Sequence, residues 1–120
     1  MTDFRQDKAI YLQIADNICD GILSGQYVQG DRIPSVRELS VLLEVNTNTI
    51  VRTYDFLTRN GIIYTKRGMG FYVSDDARDL ILNSRRTEFM DTHLPELFRQ
   101  MKLLDIPIDA ITEAWKQRGL

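Results

Sequence analysis

Short polar side chains that can both donate and accept hydrogen bonds are concentrated at residues 46–49, a run of Asn, Thr, Asn and Thr. At the first turn of a helix, such amide and hydroxyl groups can reach base edges and phosphates. Arg52 follows Asn48 by four residues, so both would lie on one helix face. The same cluster also fits a helix N-cap and turn, and we expect one of the four to act as the cap. For the rest the pattern favours DNA contact, and the candidates are Asn46, Thr47, Asn48, Thr49 and Arg52.

Two short helices joined by a tight turn are predicted around this polar run. Pro34 and the capping box formed by Ser35 and Glu38 begin the first helix. Its apolar residues repeat at helical spacing, at Val36, Leu39, Leu42 and Leu43. A new apolar stripe then follows the break, at Ile50, Tyr54 and Leu57. This layout predicts a helix-turn-helix over about residues 36–55. Arg37, near its start, is placed for a phosphate or base contact; a solvated surface charge is the alternative.

An amphipathic helix and a hairpin would position this motif. Residues 8–24 carry an apolar face that includes Ile10 and Tyr11, and Gly25 can close that helix as a left-handed cap. Two β-rich runs, 62–65 and 71–73, are joined by a basic, glycine-containing segment. We therefore predict a mainly α fold with a small β-hairpin, a winged helix-turn-helix domain over residues 8–76 with its wing at about 62–74. The wing candidates for contact with the DNA backbone or minor groove are Lys66, Arg67 and Gly68.

The remaining residues, 77–120, form a mostly helical tail in this prediction. Pro95 must kink a helix or lie in the first turn of a new one, and Pro107 is expected to open the last helix. The tail carries more apolar surface than a lone helix leaves in water, so it needs a partner. We expect a second copy of the chain, with folding back on the winged domain or docking on another protein as alternatives. The predicted dimerisation residues are Leu80, Ile81, Phe89, Leu94, Leu97, Phe98 and Met101.

The overall charge argues against nucleic-acid binding, because the 120-residue chain has a net charge of −2. Residues 32–67, however, contain six basic and three acidic side chains, a local excess of three positive charges. The acidic excess therefore lies mostly outside the proposed contact surface, and the local distribution is what DNA would meet.

Catalytic, metal and membrane readings find little support. Cys19 is the one cysteine and His93 the one histidine, so an internal disulfide is excluded and a zinc site would lack partners. Gly68 and Gly70 lack the third glycine of a dinucleotide fingerprint. We expect no enzyme activity, cofactor or metal.

There is no apolar run near the length of about 18 residues that would span a membrane. The N-terminus does not look like a secretory signal, so we expect a cytoplasmic protein without a membrane partner.

Three segments together resemble the N-terminal winged helix-turn-helix of GntR-type bacterial transcription regulators: IYLQIADNICDGILSGQY, GDRIPSVRELSVLLEVNTNTIVRTYDFLTRNGIIY and KRGMGFYV. The resemblance covers about residues 8–74. The tail, with LPELFRQMKLLDI, is similar to the YtrA subfamily, in which a short helical region serves dimerisation. The resemblance implies DNA contacts at Arg37, Asn46, Thr47, Asn48, Thr49, Arg67 and Gly68. The chain departs from many members at Thr47, and from several subfamilies at Val51, where they carry arginine.

The function expected from these observations is a sequence-specific, DNA-binding transcription repressor that binds a near-palindromic operator as a homodimer. The alternative is a winged protein-interaction module without specific DNA binding. Target genes, the operator sequence, a small-molecule effector and the choice between repression and activation are left open by the sequence. Any effector pocket is expected between the tail and the winged domain or at the dimer interface.

Overall fold

The protein, represented by a computed structural model, is described at residue 4 and over residues 6–119, and it consists of helices and one hairpin. The chain divides into two compact units, the first ending at Asn83 and the second beginning at Ser84. In chain order the elements are α1 (Ile10–Ser24), α2 (Val36–Leu43), α3 (Thr47–Arg59), β1 (Ile63–Lys66), β2 (Gly70–Val73), α4 (Ala77–Glu88), a π-helical turn (Phe89–His93), α5 (Leu94–Leu103) and α6 (Ile108–Arg118).

The first two helices begin and end at the predicted signals. Helix α1 ends at Gly25, which adopts the left-handed conformation with φ of 89°. At the start of α2 the Ser35 hydroxyl accepts from the Glu38 N–H at 3.1 Å, and the Glu38 carboxylate accepts from the Ser35 N–H at 2.9 Å. The capping box is therefore confirmed, and it satisfies two donors that a helix start leaves without intrahelical partners.

The wing is an antiparallel hairpin in which Ile63 pairs with Val73 and Lys66 pairs with Gly70. Because the last pair forms, the connecting loop is residues 67–69, shorter than the segment the sequence suggested. An isolated bridge between Arg32 and Tyr72 adds the segment before α2 to the outer edge of β2. The prediction of a mainly α fold with a small hairpin, arranged as a winged helix-turn-helix, is confirmed.

One hydrophobic core holds the first unit together. Its most deeply buried members come from α1, α3 and the two strands, and they include Ile14, Ile50, Leu57, Ile63 and Val73. Two residues of the predicted apolar stripes are exposed rather than buried. Ile10 lies at the exposed start of α1, and Leu42 is 69% exposed on the outer side of α2. Helix periodicity assigned both side chains to the buried face, but both are exposed.

The first turns of α4 belong to this core. Ala77 and Ile81 are 1% and 3% exposed, and the Arg78 guanidinium donates to the Leu23 carbonyl at 2.6 Å. The first compact unit accordingly extends to Asn83 rather than ending at residue 76. Ile81 was predicted as a dimerisation residue, and the structure corrects this: the side chain is already buried within its own chain.

The second unit contains the π-helical turn, α5 and α6. Pro95 lies in the first turn of α5, and Pro107 is the residue that precedes α6, as the sequence predicted. The π-helical turn before α5 was not predicted. Met101 is buried, whereas several other large apolar side chains are exposed: Phe89, Met90, Leu97, Phe98, Leu103, Leu104, Ile108 and Trp115. Within the described residues, no helix is both long enough and apolar enough to cross a membrane.

Candidate nucleic-acid interface

The polar run at residues 46–49 forms the start of α3. Asn46 is the N-cap, and its side-chain oxygen accepts from the Asn48 N–H at 2.7 Å. Thr47 and Asn48 are exposed and Thr49 is half-buried. The prediction that one of the four residues caps the helix is confirmed, and that residue is Asn46. The side chains of Thr47 and Asn48 therefore extend from the positive end of the helix dipole.

Buried contacts fix the direction in which this helix start points. The Tyr54 hydroxyl donates to the Pro34 carbonyl at 2.5 Å, and burial raises the pKa of Tyr54 well above its usual range. Its ring meets Phe71 of β2 edge-on, with the ring centroids 4.7 Å apart. The neighbouring Thr53 hydroxyl donates to the Tyr11 carbonyl of α1 at 2.8 Å. Helix α3 is thus tied to α1, to the segment before α2 and to the wing.

Arg52 lies against α1. Its guanidinium carbon is 4.1 Å from the centre of the Tyr11 ring, and Tyr11 in turn meets Phe56 edge-on at 6.3 Å. Arginine over an aromatic face is attracted by the ring quadrupole. Spacing predicted that Arg52 shares a helix face with Asn48. It could not predict the contact with Tyr11, which lies 41 positions earlier in the chain. The sequence reading placed Tyr11 in the apolar stripe of α1 and gave it no role near Arg52.

The three predicted wing residues are exposed at the hairpin tip. Lys66 extends its ammonium over the Tyr72 ring, 4.5 Å from the ring centre, and Tyr72 stacks on Tyr64. Gly68 has a φ of 75°, a conformation that glycine adopts without the penalty of a Cβ. Arg67 and the exposed backbone around Gly68 therefore form the outermost part of the wing.

Arg32 connects the wing to α2, a role that the sequence analysis missed. Its Nε donates to the Met69 carbonyl at 3.2 Å, and its Nη2 lies 3.6 Å from the Glu38 carboxylate. The hydrogen bonds from Ser35, and then Arg32, lower the pKa of the Glu38 carboxyl. A Cβ built on Gly70, whose φ is 109°, would lie 3.0 Å from the Arg32 Nε. The sequence reading counted Arg32 only as a local charge.

Residues 10–73 match the model of the family described as bacterial regulatory proteins, gntR family. The chain belongs to the GntR family. The match covers α1, the helix-turn-helix and the wing, so the geometry above is that of a GntR DNA-binding domain.

Relatives and solved structures extend the likeness of this GntR-family protein beyond the matched domain. It is 36% identical over 113 residues to the HTH-type transcriptional regulator YhcF of Bacillus subtilis, covering 94% of this chain and 92% of the relative. It is 39% identical over 85 residues to the B. subtilis HTH-type transcriptional repressor YtrA, covering 71% and 65%. The family and these relatives are transcription regulators and not enzymes.

Two examples show the similarity of this chain to solved structures. A GntR-family regulator from Bacteroides thetaiotaomicron superposes with a TM-score of 0.77 at 45% identity, covering 93% of this chain and all of the other. The DNA-binding domain of AraR, crystallised in complex with operator ORR3, superposes with a TM-score of 0.55 at 26% identity, covering 62% of this chain and 87% of the other.

A cavity of about 240 Å³ lies within the first unit of this GntR-family protein, between the end of α1 and the start of α4. Its walls combine apolar and polar side chains, among them Ile22, Tyr27, Val73, Asp75 and Arg78. An effector pocket was expected between the winged domain and the tail predicted over residues 77–120, or at a dimer interface; Ala77 and Arg78 in the wall of this cavity belong to the start of that tail. Among the described residues, no cluster of three His, Cys, Asp or Glu side chains could hold a metal ion.

Proposed function

We propose that this GntR-family protein is a homodimeric transcription repressor that inserts one α3 helix into the major groove at each half-site of a near-palindromic operator. The observation that carries the proposal is that one compact unit displays both the start of α3, with Thr47 and Asn48 accessible, and an exposed basic wing. In a helix-turn-helix the N-terminal residues of the second helix meet the base edges. The AraR domain crystallised with an operator has the same fold.

The proposed contacts divide by chemistry. Thr47, Asn48 and Thr49 contact the base edges. The side-chain oxygen of Asn46 caps the helix, and its amide nitrogen contacts the DNA backbone. Arg37, exposed in the first turn of α2, meets a phosphate or a base. The wing contacts the backbone or minor groove through the exposed residues Lys66, Arg67 and Gly68. Arg52 joins these contacts by leaving the Tyr11 ring or by extending past it, a step whose cost is about 0.5–1 kcal/mol for an exposed cation–π pair.

The proposed dimer contact consists of the second unit together with Leu80, which is exposed near the start of α4 in the first unit. Phe89, Leu97 and Phe98 are 51%, 39% and 48% exposed in the single chain, which is unusual for side chains of this size. Leu80, Leu94 and Met101 complete the proposed dimerisation set, although Met101 is mostly buried within its own chain. A two-fold dimer would cover these faces and present two α3 helices to half-sites roughly 34–36 Å apart.

Repression is proposed from the relative named a transcriptional repressor, to which 71% of this chain aligns at 39% identity. A regulator acts as a repressor when its operator overlaps the site that RNA polymerase must occupy. A reporter fused to the promoter of the chain's own operon should therefore become more active when the gene is deleted; an unchanged or weaker reporter would contradict repression.

A salt titration tests DNA binding itself. Fragments selected from genomic DNA by the full chain are bound at increasing salt, and the logarithm of the association constant should fall linearly with the logarithm of salt concentration. A footprint with two-fold symmetric protection is expected on the selected fragment. If no salt-dependent binding is found, the winged fold would serve as a protein-interaction module instead.

A further inference from the structure

Val51 is an apolar side chain exposed on the side of α3 that carries Thr47 and Asn48. It is 43% exposed, and it follows Thr47 by four residues and Asn48 by three, so it is a surface neighbour of both. Ile50 and Tyr54, which flank it in the helix, point into the core and are at most 1% exposed. Val51 thus keeps apolar surface that the rest of its chain does not cover.

The side chains around Val51 are committed elsewhere or lack a positive charge. Asn46 accepts the capping hydrogen bond, Arg52 lies over the Tyr11 ring, and Thr53 is buried. In the first two turns of α3, the exposed side chains are Thr47, Asn48, Val51 and Arg52, and Arg52 reaches the groove only by leaving the Tyr11 ring or by extending past it. Guanine is read most often by arginine or lysine, which the remaining set of Thr47, Asn48 and Val51 lacks. Its methyl groups and single amide are suited to an A·T pair, where thymine presents a C5-methyl and adenine a donor–acceptor pair.

We propose that Val51 is a specificity-determining residue that packs against the C5-methyl group of a thymine in the major groove. The inference rests on the proposed insertion of α3 and deepens it by naming the base. Thymine is the one standard DNA base with a methyl group in the groove, so the contact distinguishes it from all others. Burying the exposed valine also removes apolar surface from water, which stabilises the complex.

Replacement of thymine by deoxyuridine tests the contact because it deletes the methyl group and keeps every hydrogen-bonding group. Starting from a duplex selected by the full chain, each thymine of one half-site is replaced in turn. For the native protein, one position should lose affinity by about fourfold, as expected for one buried methyl-sized group. The Val51→Ala protein should bind the thymine and uracil duplexes with nearly equal affinity at that position.

Two further variants separate Val51 from other sources of the effect. Val41→Ala removes the same atoms from α2, where Val41 is 72% exposed, and it should keep the native uracil penalty. Thr47→Ser removes a methyl group from the exposed first residue of α3 and should also keep the penalty at the Val51 position. Circular dichroism and thermal unfolding of each variant verify folding; Val51→Thr, which keeps one methyl group and the branched shape, should give an intermediate penalty.

The outcomes distinguish this inference from the function on which it rests. If the protein binds a selected sequence specifically but shows no thymine with a uracil penalty, the inference is overturned and the proposed function stands. A penalty that persists in Val51→Ala would assign the methyl contact to another residue and also overturn it. Absence of sequence-specific, salt-dependent binding would remove the proposed function and this inference together.

Discussion

The side chains of α3 fall into two groups: buried ones that fix the position of the helix and exposed ones that are free to contact another molecule. Tyr54 and Thr53 are buried and hydrogen-bonded, whereas Thr47 and Asn48 are exposed. Buried polar groups stabilise a fold only when they are paired, and both hydroxyls have partners here. Substitutions in the first group should therefore change stability, and substitutions in the second should change DNA affinity.

Tyr54→Phe should lower the free energy of unfolding by about 1–2 kcal/mol, because the Pro34 carbonyl loses its buried donor. Denaturant unfolding followed by circular dichroism measures the change. Tyr72→Phe is the matched control, since the Tyr72 hydroxyl donates to the Met69 carbonyl at 3.3 Å on the exposed wing and its removal should cost less. Equal losses in the two variants would contradict a special role for the Tyr54 hydroxyl.

Arg37→Ala should weaken binding to the selected operator by about 1–3 kcal/mol if the guanidinium reaches a base. Its side chain is exposed in the first turn of α2, so the unfolding free energy should hardly change. Fluorescence anisotropy with a labelled duplex measures the affinity. Arg118→Ala, which removes an exposed arginine from α6, serves as the control and should bind like the native protein; unchanged affinity in Arg37→Ala would exclude Arg37 from the interface.

At the scale of elements, the wing and α5 depend on specific side-chain contacts as well as on backbone pairing. The wing has two short strands, and Arg32 adds a side-chain link from the segment before α2 to its tip. In α5, Arg99 makes a bidentate contact with Glu96 at 2.9 and 2.6 Å. Each link can be removed by one substitution without touching a hydrophobic core.

Gly70→Ala should destabilise the wing by about 2–3 kcal/mol for two reasons. Alanine is strained at the positive φ of this position, and its Cβ would displace Arg32 from the Met69 carbonyl. Gly68→Ala is the matched control: its φ of 75° is also unfavourable, but the Cβ position has open space, so about 1 kcal/mol is expected. Hydrogen exchange of the β1 and β2 amides measures local opening. Equal exchange in both variants would show that Arg32 does not restrain the wing.

Titration of Glu96 tests the contact within α5. The hydrogen bonds from Arg99 and then Gln100 lower the pKa of the Glu96 carboxyl from 4.5 to about 2. Because the folded-state pKa is the lower one, the stabilisation is complete above about pH 4.5 and is lost as the pH falls toward 2. Carboxyl ¹³C shifts followed by NMR should give this value in the native protein.

The Arg99→Ala variant should move the Glu96 pKa back toward 4.5, leaving the smaller effect of Gln100. Lys102→Ala, a change of another exposed cation in α5, should leave the Glu96 titration as it is in the native protein. A native pKa near 4.5 would mean that the bidentate contact is not maintained in solution.

At the scale of the whole molecule, α4 contributes residues to both compact units, because the boundary between them along the chain falls between Asn83 and Ser84 within this helix. Its first turns supply Ala77 and Ile81 to the core of the winged unit, and its last turn leads into the π-helical turn. The proposed dimerisation region and the proposed DNA-binding unit therefore share one continuous helix.

Two truncations test this division. A chain ending at Asn83 should fold and sediment as a monomer with much weaker operator affinity, because it retains the core and loses the proposed dimer surface. A chain ending at residue 76 should be less stable by about 2–5 kcal/mol, the usual range for deleting a buried isoleucine. Analytical ultracentrifugation and denaturant unfolding measure the two effects. A dimeric 1–83 chain, or equal stability of the two truncations, would contradict the assignment.

Local signals in the sequence determined most of the fold. Helix ends were predictable because a capping residue or a proline acts on its own first or last helical turn. The examples are the Ser35–Glu38 capping box, the Gly25 cap, Pro95 and Pro107. The apolar period identified α1 and α3, and two β-rich runs separated by glycines identified the wing. The family resemblance that these segments carried is confirmed by the match over residues 10–73.

Contacts between residues distant in the chain were decided by the tertiary structure alone. Sequence spacing put Asn48 and Arg52 on one face, but only packing of α1 against α3 put Arg52 over Tyr11. Likewise, periodicity marked Ile81 as apolar, while its burial in the first unit depends on where α4 meets that core. Local patterns fix the type of an element, because backbone and capping energies act within a few residues. Which side chains remain free to meet DNA depends on long-range packing, which no local pattern encodes.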